Sequence, residues 1–377
     1  MSEARRRLLG GLAPASFLAR HWQKEALRVA AALPGFTGPL DLPRLKRLAA
    51  RDDVESRLVV RERSAWTLRH GPLRAADFRG LPATGWSLLV QGVNRHEPAC
   101  DALLRHFAFV PYARLDDVMV SYAVAGGGVG PHVDNYDVFL LQGFGRRRWR
   151  YGRQDDAKFR PGLPLRILRR FAPSHDRVFG PGDMLYLPPE WGHDGVALEP
   201  CTTYSIGFRA ATAQELAIAF LDFMRDEVDL AGRYADPGLR PTTKPARIPD
   251  AMVRRVAAML RALRWDDALV RRFLGRMLSE PKPIVVFDPP RAPLAPAEFR
   301  RRVAQRGLAL DARTLMLYDD AAIHVNGEPV ERAAGDAALL RLADQRALPA
   351  RDCRRLGPAA LRLLHRWYAD GYLAPAD

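Results

Sequence analysis

The stretch Gly126–Arg150, GGGVGPHVDNYDVFLLQGFGRRRWR, sets a His and an Asp two residues apart behind a glycine-rich turn, then an apolar run, then three arginines. In a strand, residues i and i+2 project from the same face, so His132 and Asp134 aim an imidazole and a carboxylate at one point. The glycines ahead of them allow a sharp backbone turn without steric penalty. A third ligand comes from His193, in LPPEWGHDG just after the strand-like DMLYL. Two His and one carboxylate leave one face of an octahedral metal open, the arrangement of non-haem Fe(II) oxygenases, although the same ligands also suit Mn, Co, Ni or Zn. A lone HxD is weak. The glycine turn, the strand-like surroundings and the second His after a Pro-Pro pair together favour a metal site. His96, His106 and His175 have no HxD or HxH partner, and Asp137 falls on the other face of a regular strand as a poor fourth ligand.

An apolar strand that ends in RRRWR is unusual for a barrel. Alternation turns at least one of Arg146, Arg147 and Arg148 inward, and a buried guanidinium needs an anion. With Fe(II) inside, that anion is the distal carboxylate of 2-oxoglutarate, which an arginine clamps with two parallel hydrogen bonds. Parity alone leaves the inward arginine open, because Gly143 and Gly145 can bulge the strand.

Around this stretch the chain reads as three sections. Up to residue 210, the runs at 86–93, 118–124, 137–144, 183–189 and 202–210 have the length and Val/Leu/Tyr/Phe content of sandwich or barrel strands. Helices are expected at 17–33 and 40–54. From 211 to 280 apolar residues recur three and four apart, as in Val253, Val256, Leu260 and Leu263, and predict packing or oligomerisation helices on either side of a proline-rich connector. The section 281–377 reads as helix, two strands joined at Asn326-Gly327, and two helices, a small winged-helix-like unit. No sustained repeat or low-complexity tract is present.

The 377 residues suit two or three units, and 48% hydrophobic with 27% charged residues suits a globular protein with real cores. No apolar run reaches membrane-spanning length, and no cleaved secretion signal is expected. Cys100, Cys201 and Cys353 lie far apart without a CxxC pair, as expected in a reducing cytoplasm. The formal charge of +15 favours an anionic partner or, equally, solvated basic faces.

Taken together, the 126–150 stretch, GDMLYLPPEWGHDG and TTYSIGFRA resemble the bacterial ribosomal oxygenases, JmjC-type 2-oxoglutarate-dependent enzymes. The resemblance implies an α+β chain. A double-stranded β-helix (cupin/JmjC barrel) with N-terminal helices spans 1–210, a helical dimerisation segment 211–280 and a winged-helix-like domain 281–377. It implies that His132, Asp134 and His193 hold Fe(II), that Arg147 binds 2-oxoglutarate and that Ser121 assists it. Dioxygen is the other co-substrate. It further implies hydroxylation of an arginine β-carbon in large-subunit ribosomal protein sixteen, by a cytoplasmic homodimer with a possible ribosomal RNA contact. An arginine substrate calls for acidic groups at the barrel mouth, and Asp137, Asp155 and Asp156 are candidates. Two rivals remain: a metal-dependent cupin acting on a small molecule, which needs no arginine clamp, and a nucleic-acid-binding regulator that senses a ligand in its barrel.

Overall fold

The computed structural model describes residues 3–228, 232–332 and 337–376. Helices α1 (Glu3–Leu8) and α2 (Pro14–Arg20), strand β1 (Leu27–Val29), α3 (Leu42–Ala49), β2 (Ser56–Glu62), β3 (Ala65–His70), β4 (Trp86–Val90) and α4 (Pro98–Arg105) come first. The ligand-bearing part follows, with β5 (Leu115–Ala123), β6 (Val138–Gln142), β7 (Arg147–Arg153), β8 (His175–Phe179), β9 (Met184–Leu187), β10 (Trp191–Ala197) and β11 (Cys201–Phe208). Strands β1 to β11 make two sheets. One has the order β1-β9-β6-β11-β5-β4-β2-β3, the other β10-β7-β8. They form a double-stranded β-helix.

Alternation assigns the faces. On β5, Val118 and Val120 enter the core with Phe139, Leu141, Tyr204 and Ile206 from neighbouring strands and Phe17 and Leu45 from the helices. Asp117, Met119 and Ser121 therefore point the other way, into the barrel. The sequence pattern predicts a helix over 17–33, but α2 stops at Arg20. Beyond it, the Gln23 amide donates to the Tyr186 hydroxyl (2.8 Å), the Ala31 amide donates to Asp183 (2.8 Å), and β1 pairs with β9. Tertiary hydrogen bonding outweighs helix propensity here.

Next come α5 (Ala213–Glu227), α6 (Asp250–Arg261) and α7 (Asp267–Ser279). Thr212 caps α5 through a reciprocal pair with Glu215 (3.1 and 2.7 Å). The apolar periodicity beyond the connector divides into α6 and α7 because Asp266 caps α7, accepting from the Leu269 amide at 2.8 Å. Residues 229–230, at the end of the first expected helix, lie outside the described residues. The last unit contains α8 (Pro296–Arg306), β12 (Leu308–Leu310), β13 (Met316–Tyr318), β14 (Ala322–Val325), β15 (Glu328–Glu331), α9 (Ala337–Gln345), β16 (Ala347–Leu348), α10 (Ala350–Cys353), α11 (Pro358–Ala369) and β17 (Leu373–Pro375). Its own core gathers Phe299, Val303, Ile323, Leu342, Leu364 and Trp367. Asn326 and Gly327 both take positive φ (52° and 89°), the conformation the β14–β15 turn requires. Residue 336, at the start of the expected helix now seen as α9, lies outside the described residues. Among the described residues, no helix is long and apolar enough to cross a membrane.

Candidate metal and co-substrate site

His132, Asp134 and His193 each offer a ligand atom, and these atoms lie within 4.8 Å of one another. His193 Nε2 is 3.6 Å from Asp134 Oδ2, and His132 Nε2 is 4.0 Å from Asp134 Oδ1. The convergence arises differently from the expected strand alternation. Asp134 lies in a loop between β5 and β6, outside any regular strand, and His132 enters only an isolated bridge. That bridge joins His132 to His193 through two backbone hydrogen bonds (3.0 and 2.9 Å). The Glu190 amide donates to the Asp134 carbonyl at 3.0 Å. Cross-strand bonding thus places the carboxylate between the two rings. His193 sits inside β10 opposite Tyr151.

Each imidazole is oriented through its second nitrogen, His132 Nδ1 toward the Gly130 carbonyl (2.9 Å) and His193 Nδ1 toward the Trp191 carbonyl (3.1 Å). This leaves both Nε2 atoms facing Asp134. Burial, then the neighbouring His132, push the His193 pKa down to about 4. The ring is therefore neutral near pH 7, the form that ligates a metal.

The arginine question resolves at β7. Arg146 is exposed and pairs with Glu199 (3.0 Å), and Arg148 is exposed and pairs with Asp176 (2.7 Å). Arg147 turns inward and is 4% exposed. Its Nη1 donates to the Ser121 hydroxyl at 3.2 Å, while Nε and Nη2 are buried without a hydrogen-bond partner. A buried, half-satisfied guanidinium is costly unless an anion completes it. The donor set therefore fits a carboxylate held beside the His–Asp–His cluster, and that cluster fits a divalent metal with imidazole and carboxylate ligands.

Of the expected substrate carboxylates, Asp137 needs correction. Asp137 is fully buried and accepts from Tyr186 (2.6 Å) and Gln23 (3.0 Å), so it braces the loop and faces no mouth. Asp155 and Asp156 are exposed on the β7–β8 connection, where Asp156 accepts from the Lys158 amide (3.0 Å). The inward carboxylate is Asp117, on the same face of β5 as Ser121. It is 2% exposed, held by Gln91 (2.9 Å) with Arg95 and Lys282 nearby, and its pKa is raised by burial and then by Asp116. Tyr136 presents part of its ring to solvent, and desolvation followed by Asp134 and Asp117 raises its phenol. The period-2 alternation of DDVMVSYA already carried the Asp117 signal. His96, His106 and His175 stay outside the cluster, His175 stacking on Tyr151 (4.7 Å between centroids, 2° between planes).

Comparison with known proteins agrees with this geometry. Residues 102–216 match the JmjC domain family, and residues 262–374 match the ROXA-like winged helix. The ribosomal protein uL16 3-hydroxylase of Escherichia coli K12 is 37% identical over 336 residues, 87% of this chain and 88% of that protein. A probable ribosomal oxygenase of Haemophilus influenzae is 41% identical over 202 residues, 52% of this chain and 50% of its own. The X-ray structure of E. coli YcfD superposes with a TM-score of 0.86 at 34% identity, over 96% of this chain and 98% of that one. YcfD in complex with cobalt and 2-oxoglutarate superposes with a TM-score of 0.82 at 33% identity and the same coverage. The chain belongs to the JmjC-type ribosomal oxygenases, a family of 2-oxoglutarate- and Fe(II)-dependent enzymes.

Proposed function

We propose that this enzyme hydroxylates a large-subunit ribosomal protein, uL16, at the β-carbon of an arginine. His132, Asp134 and His193 hold the Fe(II), and Arg147 with Ser121 holds the far carboxylate of 2-oxoglutarate. The observation that carries the reading is the pair of unpartnered Arg147 nitrogens buried beside Ser121. When bound, iron and 2-oxoglutarate supply the oxidising power that puts one oxygen atom of O₂ into a C–H bond and the other into succinate. The chain's own residues do the rest. Arg147 fixes the co-substrate's orientation by two charge-assisted bonds. The paired backbones of His132 and His193 fix the ligand geometry before any ligand arrives.

Support for an arginine comes from the family resemblance. Asp117, on the β5 face that carries Ser121, is already paired with Arg95 and Lys282 and bonded by Gln91, so it braces this face rather than receiving a cation. The relative's name supplies the protein and position 3, the β-carbon.

The homodimer belongs to the same reading. No residue of α6 is buried, and Val253 (55% exposed) and Leu260 (61%) lie on it in one stripe, with Leu221 exposed on α5. Such a stripe suits a second copy of the same helices. The three cysteines are buried free thiols, which suits a cytoplasmic setting.

The test is mass spectrometry of ribosomal proteins from cells with and without this chain. The expected result is the loss of one oxygen mass from a single arginine of uL16. A loss on histidine, or on another ribosomal protein, overturns the finer assignment. Purified enzyme should release succinate with a uL16 peptide but not with its Arg→Lys form.

A further inference from the structure

Two hairpins frame the loop that carries His132. One is β2–β3, whose Trp66 ring comes within 3.3 Å of where a Cβ on Gly130 would lie. The other connects β7 to β8. It is closed by a Phe159–Leu168 bridge, its Leu168 amide donates to the Pro131 carbonyl (2.7 Å), and Ile167 reaches within 3.0 Å of the same point above Gly130. Both hairpins thus meet at the rim beside the metal ligands.

The second hairpin is strongly basic. Arg153, Lys158, Arg160, Arg166, Arg169 and Arg170 are all exposed, against Asp155 and Asp156 alone. Among the described residues Arg160, Arg169 and Arg170 make no ion pair, whereas the exposed Arg146 and Arg148 of the same sheet are both paired with carboxylates. Clustered, unpaired arginines repel one another, and a polyanion relieves that repulsion. Flat rings lie between the charges. Arg61 sits over Trp66 (5.3 Å), Arg166 over Phe159 (4.3 Å) and Arg150 over Phe171 (5.9 Å). Trp66, Phe159 and Phe171 are only half-buried. An acidic peptide would use the charges and leave the rings idle. A strand of nucleotides uses both, phosphates on guanidinium forks and bases on ring faces.

We propose that these two hairpins form a binding surface for single-stranded RNA at the rim of the barrel. This deepens the ribosomal reading and rests on it in taking the rim as the substrate's port, with RNA accompanying the protein target. The protein target enters the barrel and its RNA lies on the basic rim outside.

The experiment uses the full-length chain and a fluorescent 16-nucleotide unstructured RNA, with anisotropy read from low to moderate salt. Each phosphate contact on a single strand contributes about 0.7 to the slope of log K against log salt. The variant R160Q/R169Q/R170Q is therefore expected to flatten the slope by about 2 and to weaken binding at least tenfold. A control on the last unit, R351Q/R355Q/R362Q, should bind as the unaltered chain does. Unaltered succinate release by the rim variant with a uL16 peptide shows that its barrel is intact. The proposal is overturned if the unaltered chain does not bind the RNA or if the slope is the same in the rim variant. Polyglutamate of matched charge displacing the RNA one for one also overturns it, in favour of an acidic protein partner. RNA binding needs no turnover, so failure of uL16 hydroxylation with intact RNA binding would strike only the catalytic assignment.

Discussion

Replacing Arg147 by Met keeps most of the side-chain volume and removes the guanidinium. In the ligand-free chain this deletes two buried, unpartnered nitrogens and one hydrogen bond to Ser121. Losing that bond costs about 1 kcal/mol, and removing the unsatisfied charge offsets it, so the free protein should unfold at the same denaturant concentration or a higher one. Co-substrate binding behaves in the opposite way. Two charge-assisted bonds at about 1.5 kcal/mol each amount to roughly 3 kcal/mol, a rise of about 100-fold in the 2-oxoglutarate Kd. The assay is calorimetric titration of 2-oxoglutarate into the cobalt(II)-loaded protein, with a separate cobalt titration. The cobalt affinity should hold within a few-fold. At 100 times its Kd, 2-oxoglutarate stabilises the unaltered protein by about 2.7 kcal/mol, and at the same concentration that increment should fall to about 0.4 kcal/mol in the variant. Equal losses for cobalt and 2-oxoglutarate, or an unchanged 2-oxoglutarate Kd, refute the role given to Arg147.

Three further outcomes are expected. His193 titrates near 4 when folded and near 6.5 when unfolded, so below about pH 6.5 the unfolded chain takes the proton first. Metal-free stability should then fall by up to about 1.4 kcal/mol per pH unit toward pH 4, and His193→Gln should remove that part of the slope; parallel urea-unfolding slopes for the two proteins between pH 7 and pH 5 contradict this. Gly275→Ala adds a good helix former to α7, but its Cβ would lie 2.2 Å from atoms of the His324 ring, which is 2% exposed. Overpacking of about 1–3 kcal/mol exceeds the roughly 1 kcal/mol propensity gain, so calorimetry should show a lower melting temperature for the last unit. Val253→Glu with Leu260→Glu should halve the mass seen by light scattering while succinate release per chain persists, and an unchanged mass argues against α6 as the dimer face.

The candidate metal cluster was legible in the sequence because glycines, His132, Asp134 and His193 stand in a chemically constrained pattern. The reason they converge was not, since a bridge between residues 61 apart in the chain leaves no local periodicity. Strand parity left Arg147 open among its neighbours, the family resemblance pointed to it, and the physical reason is that Glu199 and Asp176 take Arg146 and Arg148 at the surface. Asp137 misled because a carboxylate beside a metal motif reads as functional, whereas its Tyr186 and Gln23 partners come from distant strands and loops. Strands β6 and β9 showed as apolar runs because both faces are covered. β1 hid inside a helix-like composition, its pairing with β9 deciding against the local preference.

The loop bearing Asp134 is fastened at three places: the His132–His193 bridge, the Glu190 amide, and the Asp137 carboxylate locked to Tyr186. A chelator should therefore strip the ion and leave the scaffold standing. Loading should then be a simple second-order encounter, with no slow refolding phase.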